Sequence, residues 1–166
     1  YAELNNRWIV EANTAYKYDE KNFIELLNYL KTQPQARIYA GRPGNWGKDF
    51  RLGSSQMYML FGVNNFDISQ FLPETWSMMS ENDQNFDERV ARDYDLLNIK
   101  YIVSSKNEGF TPEAVFDKKF GPFELYKVPT SGWFDVVTSP MFVASDKTNF
   151  LNIVYLWHRS YARLWK

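Results

Sequence analysis

The sequence predicts an α/β (α+β) fold: a single domain built on a mixed β-sheet of about five strands and covered by helices. Three observations predict it. Phe23, Leu26, Leu27 and Leu30 recur at i, i+3, i+4 and i+7, the stripe of an amphipathic helix. Residues 36–40 and 99–104 are short apolar runs, and the second, IKYIVS, is the richest in β-branched residues, as buried strands are. Residues 123–128, FELYKV, alternate apolar and polar, and the run Pro129-Thr130-Ser131-Gly132 reads as a turn into another strand. A hairpin over residues 123–138 makes at least one pairing antiparallel, so the sheet is not purely parallel.

The remaining elements follow in order. Leu4, Trp8 and Ala12 fall at helical spacing in residues 1–18, and Asp19 is the expected N-cap of a second helix that carries the stripe and stops before Pro34. Ser54 or Ser55 caps a third helix through Met57, Leu60 and Phe61, which Gly62 and the Asn64-Asn65 pair end. Residues 66–72 read as a short helical turn before Pro73, and residues 73–85 as an irregular loop holding Trp76, Met78 and Met79 among Glu74, Glu81 and Asp83. Asn85 or Asp87 starts a helix through Leu97 with Phe86, Val90, Tyr94 and Leu97 inward and an Arg89–Asp93 pair at i, i+4. Thr111-Pro112-Glu113 is a helix start, a capping Thr followed by Pro at the first helical position, for a helix ending near Lys118. Residues 133–138 and 141–144 are the last strands, separated by Ser139-Pro140. Asp146 or Thr148 starts a final helix with Phe150, Val154, Trp157 and Tyr161 on one face. Leu26, Leu30, Ile38, Ile102, Val103 and Leu125 are expected to be buried together.

Composition bounds the function. Apolar residues make up 45% of the 166, so the chain can bury a substantial core. Aromatics reach 18%, a supply of flat surfaces for burial, interfaces or stacking on sugar rings. The net charge is -1 with no basic block, which argues against a nucleic-acid partner. The absence of Cys removes disulfides, thiolate metal sites and cysteine nucleophiles, and a single His, His158, removes a His-rich metal site. Apolar runs such as residues 57–63 fall far short of the ~20 residues of a membrane span.

The stretch 36–51, ARIYAGRPGNWGKDFR, hands a polar, aromatic loop to the edge of the sheet, a common way to build a ligand site. Arg42, Asn45, Trp46, Lys48, Asp49 and Arg51 are its candidate ligand-binding residues, joined by Trp76 and Glu81 from the later loop. Trp46 has two readings: a platform on which a sugar ring lies, or a plug that anchors the turn. The glycine spacing matches neither the phosphate-loop nor the dinucleotide pattern, although Arg42, Lys48 and Arg51 suit a sugar or lipid-phosphate contact. Asp93-Tyr94-Asp95 is formally D-x-D, but i and i+2 diverge on a helix. Glu81, Asp83, Asp87 and Glu88 read as a solvated acidic run, and His158 lacks a triad pattern. No catalytic residue, metal or cofactor is assigned.

Three stretches carry a family resemblance: RIYAGRPGNWG at 37–47, DYDLLNIKYIVSS at 93–105 and FGPFELYKVPTSGWFDVV at 120–137. Together they resemble the extracytoplasmic C-terminal regions of multi-spanning prokaryotic membrane proteins of the GT-C glycosyltransferase-like and YfhO-like type. The resemblance implies a soluble domain on the extracytoplasmic face of the cell membrane, cut from a longer protein. It implies two partners: the membrane-embedded part of the same polypeptide and a saccharide or lipid-linked sugar. Catalytic carboxylates of that superfamily are expected in loops between membrane helices, so the implied role here is supporting rather than catalytic. Two alternatives stand beside it: a free-standing enzyme with a carbohydrate site at Arg42, Trp46, Asp49 and Glu81, and a purely structural domain.

Overall fold

The computed structural model describes residues 2–69, 84–134, 144–153 and 155–156. Helix α1, Ala2–Lys31, leads into strand β1, Arg37–Tyr39, and a 3-10 turn, Trp46–Lys48. Short strands β2, Arg51–Leu52, and β3, Ser55–Gln56, precede helix α2, Met57–Val63. Helix α3, Ala91–Leu96, then leads into strands β4, Ile99–Ser104, β5, Val115–Phe120, and β6, Phe123–Lys127. The main sheet has the order β1-β4-β6-β5, and β2 and β3 form a separate two-stranded ribbon. β1 runs parallel to β4, while β6 runs antiparallel to both β4 and β5. The mixed sheet under helices is the predicted fold class, with four strands in the main sheet.

The sheet buries a core on each face. One face, with Ile38, Val103, Phe123 and Leu125, packs on Phe23, Leu26 and Leu30 of α1 and on Met57 and Phe61 of α2. The other, with Tyr39, Ile99, Ile102 and Tyr126, packs on Phe86, Tyr94, Leu97 and Phe110. All six residues expected in one core are buried. Ile102 nonetheless faces away from the other five, because neighbouring side chains on a strand point to opposite faces.

Several boundaries differ from the sequence reading. Residues 2–18 and the stripe form one helix: nothing between residues 2 and 31 is Gly or Pro, and Asp19, far from capping, accepts a side-chain hydrogen bond from Asn22 inside it at 3.3 Å. Leu4 and Trp8 are exposed rather than inward. Ser55 is in β3, and Gln56 precedes α2 without a side-chain cap. Residues 66–69 are not helical, because Ile68 bridges Ile38 in parallel alongside β1. α3 is shorter than expected, Val90 is 38% exposed, and Arg89 pairs with Asp87 instead of Asp93.

The largest difference is at residues 111–120. Thr111 closes a single turn by accepting from the Ala114 amide, and the chain then enters β5. β5 and β6 are joined by Gly121-Pro122, with Gly121 at φ +56 and no room beside Asn22 for a Cβ. A tight hairpin outcompetes the local Thr-Pro-Glu helix signal because its ladder hydrogen bonds are reinforced by Phe120 and Phe123 packing on the core. Both edges of β6 are thereby occupied, so residues 133–138 are not its hairpin partner. Residues 133–134 and 144 are not in strands, and residues 135–143 lie outside the described residues, as do most of the loop 73–85, Val154, Trp157, His158 and Tyr161. Asp146 caps the last helical turn as expected, accepting from the amides of Thr148 and Asn149 at 2.8 Å each.

Candidate functional site

The loop after β1 closes on itself. Gly41 has φ +75, and a Cβ there would sit 2.3 Å from the Gly47 Cα, while one on Gly47 would sit 2.3 Å from the Arg42 nitrogen. The two glycines let the ends of the loop touch each other, a use of missing side chains that leaves none of that space for a ligand. Asn45 locks the closure: its side-chain oxygen accepts from the Arg42 and Gly47 amides at 2.8 and 3.0 Å. Its amide donates to the Tyr39 hydroxyl at 2.7 Å and to Glu88 at 3.1 Å.

Glu88 is the hub. One carboxylate oxygen accepts from the Tyr39 hydroxyl at 2.7 Å and the Trp46 indole N–H at 2.9 Å, besides Asn45. Its backbone carbonyl accepts from the Tyr94 hydroxyl and the Thr111 amide, each at 2.9 Å. The Trp46 ring packs on Tyr39, Phe50 and Phe110 with centroids 5.6 to 5.8 Å apart. It touches the cores of both sheet faces, so it wedges the loop against the whole domain. Burial, then the Glu88 carboxylate, keep the Tyr39 hydroxyl protonated far above the ordinary phenol range. Burial, then the neighbouring Tyr39, do the same for Tyr94.

Beside the wedge lies an open cleft of about 440 Å³, a size suited to small ligands. Trp46, Asp49, Phe50 and Arg51 line it from the 3-10 turn and its continuation; Ser105, Lys106 and Glu108 from the loop after β4; Asp19 from α1; and Pro122 and Phe123 from the β5–β6 hairpin. Arg51 donates Nε to the Lys48 carbonyl at 2.8 Å and Nη1 to the Ser54 carbonyl at 3.5 Å. Lys106 and Glu108 form a loose pair at 3.8 Å. Among the described residues the Asp49 carboxylate has neither a hydrogen bond nor an ion pair. A second, smaller cavity of about 210 Å³ lies under the end of α1, between Leu30, Ile38, Phe66 and Tyr101.

Of the predicted binding residues, the cleft thus brings together Trp46, Asp49 and Arg51. Arg42 and Lys48 do not line it, and Asn45 spends its polar atoms within the loop. Trp76 and Glu81 lie outside the described residues. Asp93 and Asp95 of the D-x-D triplet serve different partners: Asp93 accepts from the Asp87 amide and pairs with Arg92, and Asp95 accepts from the Ser131 amide. Among the described residues no three His, Cys, Asp or Glu side chains converge to hold a metal ion. The sequence reading missed Asp19, Lys106, Glu108 and Glu88 as site residues: Lys106 and Glu108 stand in no local pattern, Asp19 reads locally as a helix cap, and Glu88 reads as part of a solvated run yet is half-buried. Comparison of the chain with protein-family models, with curated proteins and with solved structures gave no match.

Proposed function

We propose that this chain is the extracytoplasmic domain of a polytopic prokaryotic membrane protein of glycosyltransferase-like type. In this reading it holds a saccharide or lipid-linked acceptor at the Trp46 cleft, and the chemistry belongs to another part of the polypeptide. The cleft carries the reading: a half-buried indole lies among carboxylates and cations delivered by three separate segments. A sugar ring presents a face of C–H groups, which packs on an aromatic plane, and a rim of hydroxyls, which needs acceptors and donors at several separate points. The closed loop beside the cleft is then its support, with Glu88 accepting from the indole N–H and Asn45 holding closed the loop that carries Trp46.

Helix α1 supports a larger assembly. Trp8, Ile9 and Val10 are 56, 54 and 63% exposed, and three consecutive helical residues point to different sides of the helix. A helix segment apolar on several sides fits one enclosed by further protein or lipid. Among the described residues no helix is long and apolar enough to cross a membrane. The spans of this reading therefore belong elsewhere in the polypeptide.

Titration of isotope-labelled protein with neutral oligosaccharides tests the cleft. The Trp46 indole N–H and the Asp49 amide should shift together and saturably. A broad glycan screen that moves neither resonance would return the domain to a purely structural role. Reading the gene on both sides tests the location: membrane spans are expected, and a gene encoding this domain alone would overturn it.

A further inference from the structure

We infer that the cleft selects a saccharide carrying a free, protonated amino group over neutral and acidic saccharides. This rests on the cleft reading above and adds the ligand class. Three carboxylates, Asp19, Asp49 and Glu108, face two cations, Arg51 and Lys106, which leaves the lining with an excess of negative charge. Both cations are already engaged. Arg51 spends Nε and Nη1 on backbone carbonyls, and Lys106 pairs with Glu108. Among the described residues the Asp49 carboxylate has no partner, and the Asp19 carboxylate accepts only from the Asn22 side-chain amide at 3.3 Å. What the cleft offers a ligand is therefore acceptor oxygens beside an aromatic face. An ionised carboxylate only accepts hydrogen bonds, so the matching ligand is rich in donors. An ammonium group brings a full opposite charge to its bond with a carboxylate, which a hydroxyl does not, whereas a uronate or phosphate meets like charge.

A shared metal ion does not explain these carboxylates, because among the described residues no three such groups converge on one point. The same charges disfavour the lipid-phosphate contact expected of Arg42, Lys48 and Arg51, since only Arg51 reaches the cleft.

The test uses three disaccharides under conditions that protonate the amine: one of glucosamine, its N-acetylated counterpart and one containing glucuronate. Isothermal titration at low salt should give about tenfold tighter binding for the free amine than for the acetylated sugar, and weaker binding again for the acidic one. Asp49→Asn should erase most of that preference, while Lys31→Gln, outside the cleft, should leave it intact. Equal affinities, or a preference for the uronate, would overturn the inference and leave the saccharide reading standing. Failure of all three sugars to bind, with the protein folded by circular dichroism, would overturn both.

Discussion

Replacing Trp46 by alanine tests whether the indole is the wedge between the two cores. The indole packs on three rings, Tyr39, Phe50 and Phe110, and donates to Glu88 at 2.9 Å. A fully buried Trp→Ala change costs about 3–5 kcal/mol. Partial exposure places the burial loss of Trp46 at the low end, about 3 kcal/mol. The lost bond to a charged acceptor adds about 1 kcal/mol, at the low end because Tyr39 and Asn45 still donate to Glu88. A total of about 4 kcal/mol corresponds to a fall in Tm of about 8–16 °C for a domain of this size. Trp46→Phe keeps a ring and loses the N–H, so it should cost about 1–2 kcal/mol. Urea denaturation followed by far-ultraviolet circular dichroism measures both variants without relying on tryptophan emission. A loss for Trp46→Ala no larger than an ordinary surface change, about 0.5 kcal/mol, would refute the wedge. Equal losses in the two variants would show that the N–H bond, not ring packing, holds the loop.

The other predictions concern the supports of that wedge and the core. Glu88→Ala leaves the Tyr39, Asn45 and Trp46 donors without their acceptor and should cost about 3 kcal/mol or more, read in the same denaturation assay; a neutral result would mean that water replaces the carboxylate at no cost. Gly41→Ala meets the Gly47 backbone and a positive φ at once, so it should cost more than the about 1–2 kcal/mol of left-handed strain alone, and a stable variant would show that the loop opens freely. Leu30→Ala, in the α1 face of the core, should cost about 2–5 kcal/mol, against under about 0.5 kcal/mol if the face were solvent-exposed. Alkaline titration should separate the tyrosines. Burial, then the Glu124 carboxylate, hold the Tyr126 hydroxyl up at about 12, against 10.0 in an unfolded chain. Between those values the folded chain keeps a proton that the unfolded chain has released, so stability falls as pH rises. Absorbance of tyrosinate should show Tyr39, Tyr94 and Tyr126 ionising late, and a single transition of all 11 tyrosines near the ordinary value would contradict their burial.

Some of this protein is written locally. The stripe Phe23, Leu26, Leu27, Leu30 fixed the buried face of α1, and β-branched content placed β4 at Ile99–Ser104. These features are legible because helical and strand periods decide which side chains can hide together, whatever the rest of the chain does. Residues 111–120 depended on a partner instead: the Thr-Pro-Glu start is a sound local signal, yet β6 offered a ladder worth more than a short helix. Ile102 likewise could be recognised as buried, but the face it occupies follows from strand register. The candidate site lay furthest from local reading. Trp46 and its glycines stood out, but whether those glycines met a ligand or each other depended on how the loop closed. Asp19 enters the cleft from α1 and Lys106 and Glu108 from the loop after β4, both far from Trp46 in sequence, and Glu88 reaches Trp46 across 42 residues. Side-chain type and spacing act over a few residues, so the sequence alone determined the helical stripe, the central strand and the aromatic loop. Which charges meet across the cleft, and what holds the indole between them, is set by tertiary packing, because only the folded backbone brings such distant residues within hydrogen-bonding range.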